Sequence, residues 1–420
     1  MNNLNEVELS SIAKSTDEIK LQEKRFDELK TLFNEKFSPD ELYYFTSPGR
    51  IEIGGNHTDH NHGCILAAAI DMDTVAVASK TDNNTIEFFS KEMDRKFTVD
   101  LSNLEKKNEE TGSTSALIRG IASKFVNDGY KIGGFNSIVE SKIGIGSGLS
   151  SSASIEVLIG TILNSFYNEG KIDPVEIAKV GQFSENKYFG KPCGLMDQLA
   201  IAYGGIIAVD FKNPEKPVID KIEIDFSDLG LSVAIVDTGG THANLTADYA
   251  SIPHEMKLIS QHFGESVCRF ISREQIIDNL QELRVKYGDR AVLRAFHFLE
   301  ENGRVGKQTE ALKEKNIRRF LELINESGNS SSRWLQNIYS IKDYKSQNIN
   351  IALTITENFL KENNSTGACR VHGGGFAGTI LAFIETANLT NYIPLMEKVF
   401  GQNSVKVVSI RNSGACMVKL

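Results

Sequence analysis

Lys142-Ile143-Gly144-Ile145-Gly146-Ser147-Gly148-Leu149-Ser150-Ser151-Ser152-Ala153-Ser154-Ile155-Glu156 decides how the rest of this 420-residue chain is read. Glycines alternate with other residues at 144, 146 and 148, three serines follow, and a largely apolar run extends from Ile155 to Leu163. This is a glycine-rich loop entering a helix. Glycines let the backbone curl close to an anion, some of them at positive φ without strain. A serine at the helix start caps a free amide, and the remaining amides point at whatever sits there, aided by the helix dipole. Together these make a phosphate cradle that needs no lysine. The pattern is neither the Walker loop nor the dinucleotide fingerprint. A lone Gly-x-Gly-x-Gly is more often a serine-capped helix behind a flexible turn, and the three serines with the long helix behind them strengthen the phosphate reading.

Working outward, residues 132–140 read as a strand leading into the loop. Helices are expected over 153–168 and 175–189, separated by a break at Asp173-Pro174. Glu185 stands on the second of these. Gly190-Lys-Pro-Cys-Gly-Leu-Met-Asp-Gln198 follows. Asp197 lies in an otherwise uncharged segment, Pro192 to Val209, so it is buried unless it lines a cleft. Buried unpaired carboxylates are costly and tend to be functional.

Upstream, residues 41–56 read as two short strand pieces flanking Pro48-Gly49, a turn signal. A polar knot follows, His57-Thr-Asp-His-Asn-His-Gly63, before the apolar run Cys64 to Ile70 and a strand over 74–78. Such a knot faces solvent or satisfies itself around a ligand. Two readings fit it. Three histidines and an aspartate suit a zinc hydrolase, with metal-like spacing at His60-Asn-His62, although the helical H-E-x-x-H is absent. The other is a polyol site, in which Asp59 accepts from vicinal hydroxyls, His57 donates or accepts, and Arg50 supplies charge near a reacting oxygen.

The wording Gly148-Leu-Ser-Ser-Ser-Ala153 resembles the phosphate loop of the GHMP small-molecule kinases, galactokinases in particular. Gly49-Arg-x-x-x-Gly-x-x-His-Thr-Asp-x-Asn61-x-Gly63 is similar to the galactokinase signature. Glu185-x₆-Pro-Cys-Gly-x-Met-Asp-Gln198 resembles a further stretch of that family, and Gly373-Gly-Gly-Phe-Ala-Gly378 its third motif. The resemblance runs from about Tyr43 onward, with the motifs in family order. It implies that ATP phosphates rest on Gly144, Gly146, Ser147, Gly148, Leu149, Ser150, Ser151, Ser152 and Ala153. Mg²⁺ would be held by Ser152 and Glu185. Asp197 would act on the sugar's anomeric hydroxyl, and Arg50 would offset developing charge. Asn56, His57, Asp59, Gly194 and Tyr249 would meet the sugar, with His242 keeping the family's offset from Tyr249. The chain departs from the family at Asn56, where a glutamate usually meets the C6 hydroxyl, and at His60, where tyrosine is common. Asn56 therefore keeps open a kinase for another sugar, such as arabinose or galacturonate, and a non-catalytic sugar sensor on the same fold is a separate alternative, although Ser152, Ala153, Glu185 and Asp197 are all present.

The implied fold is a two-domain α+β kinase with its active site in the interdomain cleft. An N-terminal helical extension covers 1–40, an N-terminal ribosomal-protein-like domain 41–230, and a C-terminal ferredoxin-like domain 231–420. Within the extension, Ile19, Phe26, Leu29 and Phe33 form one stripe of an amphipathic helix over 8–37. Residues 85–101 alternate like a hairpin and 112–128 look helical. Residues 255–345 read as mostly helical, with charges on ordinary solvated faces. Val405 to Arg411 and Ala415 to Leu420 are expected to close the second domain's sheet.

Composition agrees with this class. At 40% hydrophobic, the chain can bury more than one core. A net charge of −9 argues against a nucleic-acid or anionic-membrane surface. No apolar run approaches the roughly 20 residues of a membrane span, and the start is no signal peptide. Five scattered cysteines without a Cys-x-x-Cys read as reduced thiols of a cytoplasmic protein. The expected partners are a sugar and ATP, with the chain a monomer or weak homo-oligomer.

Overall fold

The computed structural model describes residues 6–13, 15–39, 41–144, 148–239 and 245–420. Gly146, Ser147 and His242 therefore lie outside the described residues. The chain opens with β1 (Glu6–Glu8) and α1 (Thr16–Lys36), whose N-cap Ser15 accepts from the Glu18 amide. Helix does not begin at 8 as expected, because β1 pairs in parallel with the last strand of the chain. α1 buries Phe26, Leu29 and Phe33 against Val75, Val77 and Ile138 of the sheet beneath it.

That sheet is built from β2 (Tyr43–Gly54), β3 (Cys64–Lys80), β4 (Thr85–Ser90), β5 (Arg95–Asp100) and β6 (Phe135–Ser141). The helices α2 (Thr114–Asn127), α3 (Ser151–Tyr167), α4 (Pro174–Ser184) and α5 (Met196–Tyr203) cover its other face. Period-2 alternation on β3 explains the two coverings. Val75 and Val77 face α1, whereas Ala76 and Ala78 face the helical layer. β7 (Ile206–Asp210) pairs with β3, and β8 (Val218–Ile222) pairs with β7.

The remainder begins with β9 (Leu231–Asp237), then α6 (Thr246–His262), α7 (Arg273–Asp278), α8 (Leu280–Tyr287), α9 (Asp289–Lys313), α10 (Ile317–Ser330) and α11 (Asn348–Glu362). It continues through β10 (Gly367–His372), β11 (Thr379–Glu385), α12 (Leu389–Phe400) and β12 (Val405–Val408) to β13 (Cys416–Lys419). The first sheet runs β1-β13-β2-β3-β6-β4-β5, and the second runs β10-β11-β9-β12. The segment 415–420 was expected in the second sheet. Instead β13 crosses back and pairs antiparallel with β2, filling the edge between β2 and β1. An apolar cluster joins the sheets: Ile51, Ile53 and Leu66 of the first pack with Val233, Ile235, Leu381 and Phe383 of the second.

One local departure positions the site. Pro48-Gly49 makes no turn; β2 runs through it as a single strand. Its pairing with β3 shifts register between Pro48 and Gly49, a β-bulge. Proline cannot donate to the ladder, and a bulge is where a sheet tolerates it. The bulged backbone meets the glycine loop there, with Arg50 N–H donating to Leu149 O at 3.4 Å.

Candidate active site

Just past the bulge, Arg50 reaches across the loop. Its Nε and Nη2 donate to Asp197 Oδ1 and Oδ2 at 2.7 and 2.8 Å, a two-pronged ion pair, and its Nη1 donates to Gly148 O at 2.5 Å. Asp197 lies in the first turn of α5, where the helix dipole also favours an anion. Burial pushes its carboxyl up, but Arg50 and the Ser150 hydroxyl outweigh that and hold it below the usual carboxylate range. Its side chain stays 24% exposed, so it lines a cleft.

Ser150 was expected to cap α3. It sits at the N-cap with φ +64 and makes no side-chain cap; its Oγ donates to Asp197 instead. The α3 amides are therefore not satisfied by the serine in front of them. Leu149 and Ala153 are buried in apolar clusters, so only their backbone groups remain for a phosphate. Ser151 and Ser152 open α3 and are half-buried, while Gly144 is exposed ahead of the part of the loop that lies outside the described residues.

Two residues beyond Ser150, Ser152 Oγ donates to Glu185 Oε1 at 2.9 Å. Glu185 is buried at the point where α4 widens into a π-turn, Glu185–Phe189, ended by Gly190 at φ +88. Such turns re-aim side chains and recur at functional sites. Lys191 Nζ donates to Glu185 Oε1 at 3.0 Å and Gln198 Nε2 to Oε2 at 3.0 Å. The same Gln198 amide donates to Glu156 Oε2 at 2.8 Å. Burial, with the Glu185 charge nearby, holds the Glu156 carboxyl well above its ordinary pKa. Magnesium takes oxygen ligands, and one or two protein groups suffice when phosphates and water complete the shell. Glu185 with Ser152 fits that donor set, and Lys191, mostly solvent-exposed, already shows a cation drawn to the same oxygen.

On the other side of Asp197, the Asp59 carboxylate lies against Gly194. A Cβ at 194 would land on Asp59 Oδ2, so only glycine fits. Burial, then the Asp197 charge, raises the Asp59 carboxyl to about 6. His57 and His60 form a directed chain. Asn61 Nδ2 donates to His60 Nδ1 at 2.9 Å, His60 Nε2 to His57 Nδ1 at 3.3 Å, and His57 Nε2 to Gly374 O at 2.9 Å. Burial lowers His57 to about 4 and His60 to about 3, so both rings are neutral. Their nitrogens are thus engaged with each other. Among the described residues no group of three His, Cys, Asp or Glu is placed to hold a metal.

Asn56 departs from expectation. Its carboxamide faces inward, not toward the cleft. Nδ2 donates to Glu52 Oε1 and Gly373 O, both at 2.8 Å, while Oδ1 accepts from Ser331 Oγ and Asn337 Nδ2. The cause is Glu52, buried beside Arg370 at 2.7 Å, which draws the amide inward. Tyr249 is half-buried and donates to Gly375 O at 3.0 Å. The carbonyls of Gly373, Gly374 and Gly375 are thus each held by a side chain named above.

Lys191, Gln198 and Glu156 were not picked out from sequence. Gln198 adjoins Asp197, and its burial is the signal that an uncharged segment could have given. Charges on α9 were expected on a solvated face. Arg294, His297, Glu301, Arg304 and Gln308 are instead buried. Their 3- and 4-residue spacing was a visible stripe.

Known proteins resemble this chain in sequence and in fold. The family model "GHMP kinases N terminal domain" matches residues 116–205, and "Galactokinase galactose-binding signature" matches 31–80. The chain is 28% identical over 400 residues to a galactokinase of Clostridium tetani, covering 92% of this chain and 94% of that one. It is 29% identical over 343 residues to a galactokinase of Pyrococcus furiosus, covering 81% and 88%. The crystal structure of Lactococcus lactis galactokinase complexed with galactose superposes with a TM-score of 0.79 at 26% identity, covering 93% and 99%. A Methanococcus jannaschii mevalonate kinase shares the fold at a TM-score of 0.61, with 18% identity over 89% and 99%. No helix among the described residues is long and apolar enough to cross a membrane.

Proposed function

We propose that this chain, a galactokinase-like member of the GHMP small-molecule kinases, transfers the γ-phosphoryl group of ATP to the anomeric hydroxyl of a hexose, galactose first among them. The observation that carries this reading is the convergence of Arg50, Ser150 and Asp197, with Ser152 and Glu185 beside them, from positions up to 147 residues apart.

In this reading the N-terminus of α3 and the loop amides receive the phosphates. Asp197, kept ionised by Arg50, accepts the hydrogen bond of the C1 hydroxyl and aims its lone pair at the γ-phosphorus. Arg50 then meets the charge that develops between acceptor oxygen and phosphoryl group. Magnesium, held by Ser152 and Glu185, would neutralise the phosphate oxygens. Asp59 accepts from the sugar's vicinal hydroxyls. Phosphoryl transfer asks mainly for positioning and charge stabilisation, which these groups supply. Five free cysteines suit a reducing compartment, and the cytoplasm is the proposed site of action.

The inward-facing Asn56 favours one second reading, a sister kinase for a sugar altered at C6. An ADP-release screen with Mg·ATP over galactose, arabinose, galacturonate and glucose separates the two. Galactose is expected to be fastest. A faster non-galactose sugar would displace it, and sugar binding with no ADP from any would point to a sensor.

A further inference from the structure

The buried polar stripe of α9 runs beside the end of β2, where the chain turns into the sugar-binding knot. At this turn Gly55 has φ +86, and a Cβ there would strike Cys64 O. His57 has φ +58, a left-handed conformation that a non-glycine residue holds only when its surroundings over-determine it. The side chains of His57 and Asp59 are aimed by this stretch of backbone.

Two α9 side chains, four residues apart and so on one face of the helix, hold it. Glu301 Oε1 accepts the Gly55 N–H at 3.0 Å and the Asn56 N–H at 3.4 Å, and also the Ser327 hydroxyl at 2.6 Å. Its Oε2 accepts from Arg304. His297 Nε2 donates to Asn56 O at 2.9 Å, while its Nδ1 pairs with Ser330 Oγ at 2.8 Å. The peptide groups on both sides of Asn56 are therefore gripped, from a helix that follows the second sheet's first strand. About two turns beyond Glu301, Gln308 packs against Gly54, leaving no room for a Cβ there. Glu301 and His297 are both fully buried and neither reaches the cleft.

We infer that Glu301 and His297 are positioning residues for the sugar subsite: they fix the Gly55–His57 turn by its backbone, and through it the aim of His57 and Asp59. The inference rests on the sugar-kinase reading above. A bond to a charged acceptor is about twice as strong as a neutral one. A carboxylate shared by two backbone amides therefore sets the turn's position more firmly than β2 pairing, which ends at Gly54.

The test compares Glu301→Leu with Glu301→Gln, using galactose and Mg·ATP as the varied substrates. Glu301→Leu removes the acceptor. It is expected to raise the galactose KM by about tenfold to a hundredfold, the scale of a small misplacement of a binding group. The ATP KM should not change. Glu301→Gln keeps an acceptor oxygen for the two amides but loses the charge and turns its NH2 toward Arg304, so it is expected to bring the galactose KM back only part of the way, between the leucine variant and wild type. An unchanged galactose KM in Glu301→Leu, or equal rises in both KM values, would overturn the inference. So would a failure of the glutamine to rescue. If the leucine variant does not fold, His297→Phe, which removes the donor to Asn56 O, is read by the same two KM values. Wild-type ADP release is measured first. Its absence with every sugar counts against the kinase reading, whereas a normal wild type with an unmoved variant counts against the positioning role alone.

Discussion

Asp59 and Gly194 touch beside Asp197, and under the proposed function this single contact makes two predictions. A methyl group at 194 would occupy the space of the Asp59 carboxylate. Gly194→Ala is therefore expected to raise the galactose KM by roughly a hundredfold through displacement of Asp59, with the ATP KM nearly unchanged. Steady-state kinetics with each substrate varied in turn checks this. The second concerns pH. Burial and the nearby Asp197 charge raise Asp59 to about 6. Only the ionised carboxylate accepts from two hydroxyls. Galactose affinity is thus present above pH 6 and falls about tenfold per unit below it. Calorimetric titration between pH 5 and 8 reads the inflection, and in Asp197→Asn it should move to lower pH. Sequence exposed Asp59, Arg50 and Asp197 because charged residues in otherwise uncharged or polar-knotted segments stand out. It did not expose the inward turn of Asn56, because that depends on Glu52 and Arg370, the latter more than 300 residues away.

At the scale of elements, α3 was legible from local pattern alone, as were the hairpin of β4 and β5 and the apolar face of α1. What local pattern hid was pairing at a distance. Pro48-Gly49 reads as a turn until β3 is known to lie beside it, when it becomes a bulge. β13 reads as part of its neighbours' sheet until β1 and β2 leave an edge for it. Even α1 conceals something under its apolar stripe. Arg25 on that helix is buried and pairs with the fully buried Asp73 at 2.6 Å, while Arg411 approaches the same carboxylate at 3.4 Å. Arg25→Met should cost about 1.5–3 kcal/mol, since it removes a charged hydrogen-bond partner from Asp73 while Arg411 and Thr46 remain on that carboxylate. Turnover per folded molecule should be unaffected. Urea unfolding with parallel activity measurements tests both halves of that statement. Ser152 makes a different prediction, because it stands at the N-terminal turn of α3 beside Glu185. Ser152→Ala should raise the Mg²⁺ concentration needed for half-maximal rate by about tenfold, read in a magnesium titration at fixed ATP and galactose.

Over the whole molecule, two sheets share one apolar cluster through Ile51, Ile53, Val233 and Phe383, and α9 grips the backbone at the end of β2. The cleft is thus assembled by residues from both sheets' neighbourhoods. Glu52 pairs with Arg370, and His372 Nε2 accepts the Glu52 amide at 3.1 Å. A molecule tied this way is expected to unfold in one calorimetric transition, and two separable transitions would contradict the shared core. The account as a whole turns on Asp197. The most direct test is Asp197→Asn, measured for ADP release with galactose and Mg·ATP and for galactose binding. Turnover is predicted to fall by about 10²–10⁴-fold while the folded protein still binds galactose. Turnover near wild type in that variant would contradict the assignment of this cleft as the place where phosphoryl transfer occurs.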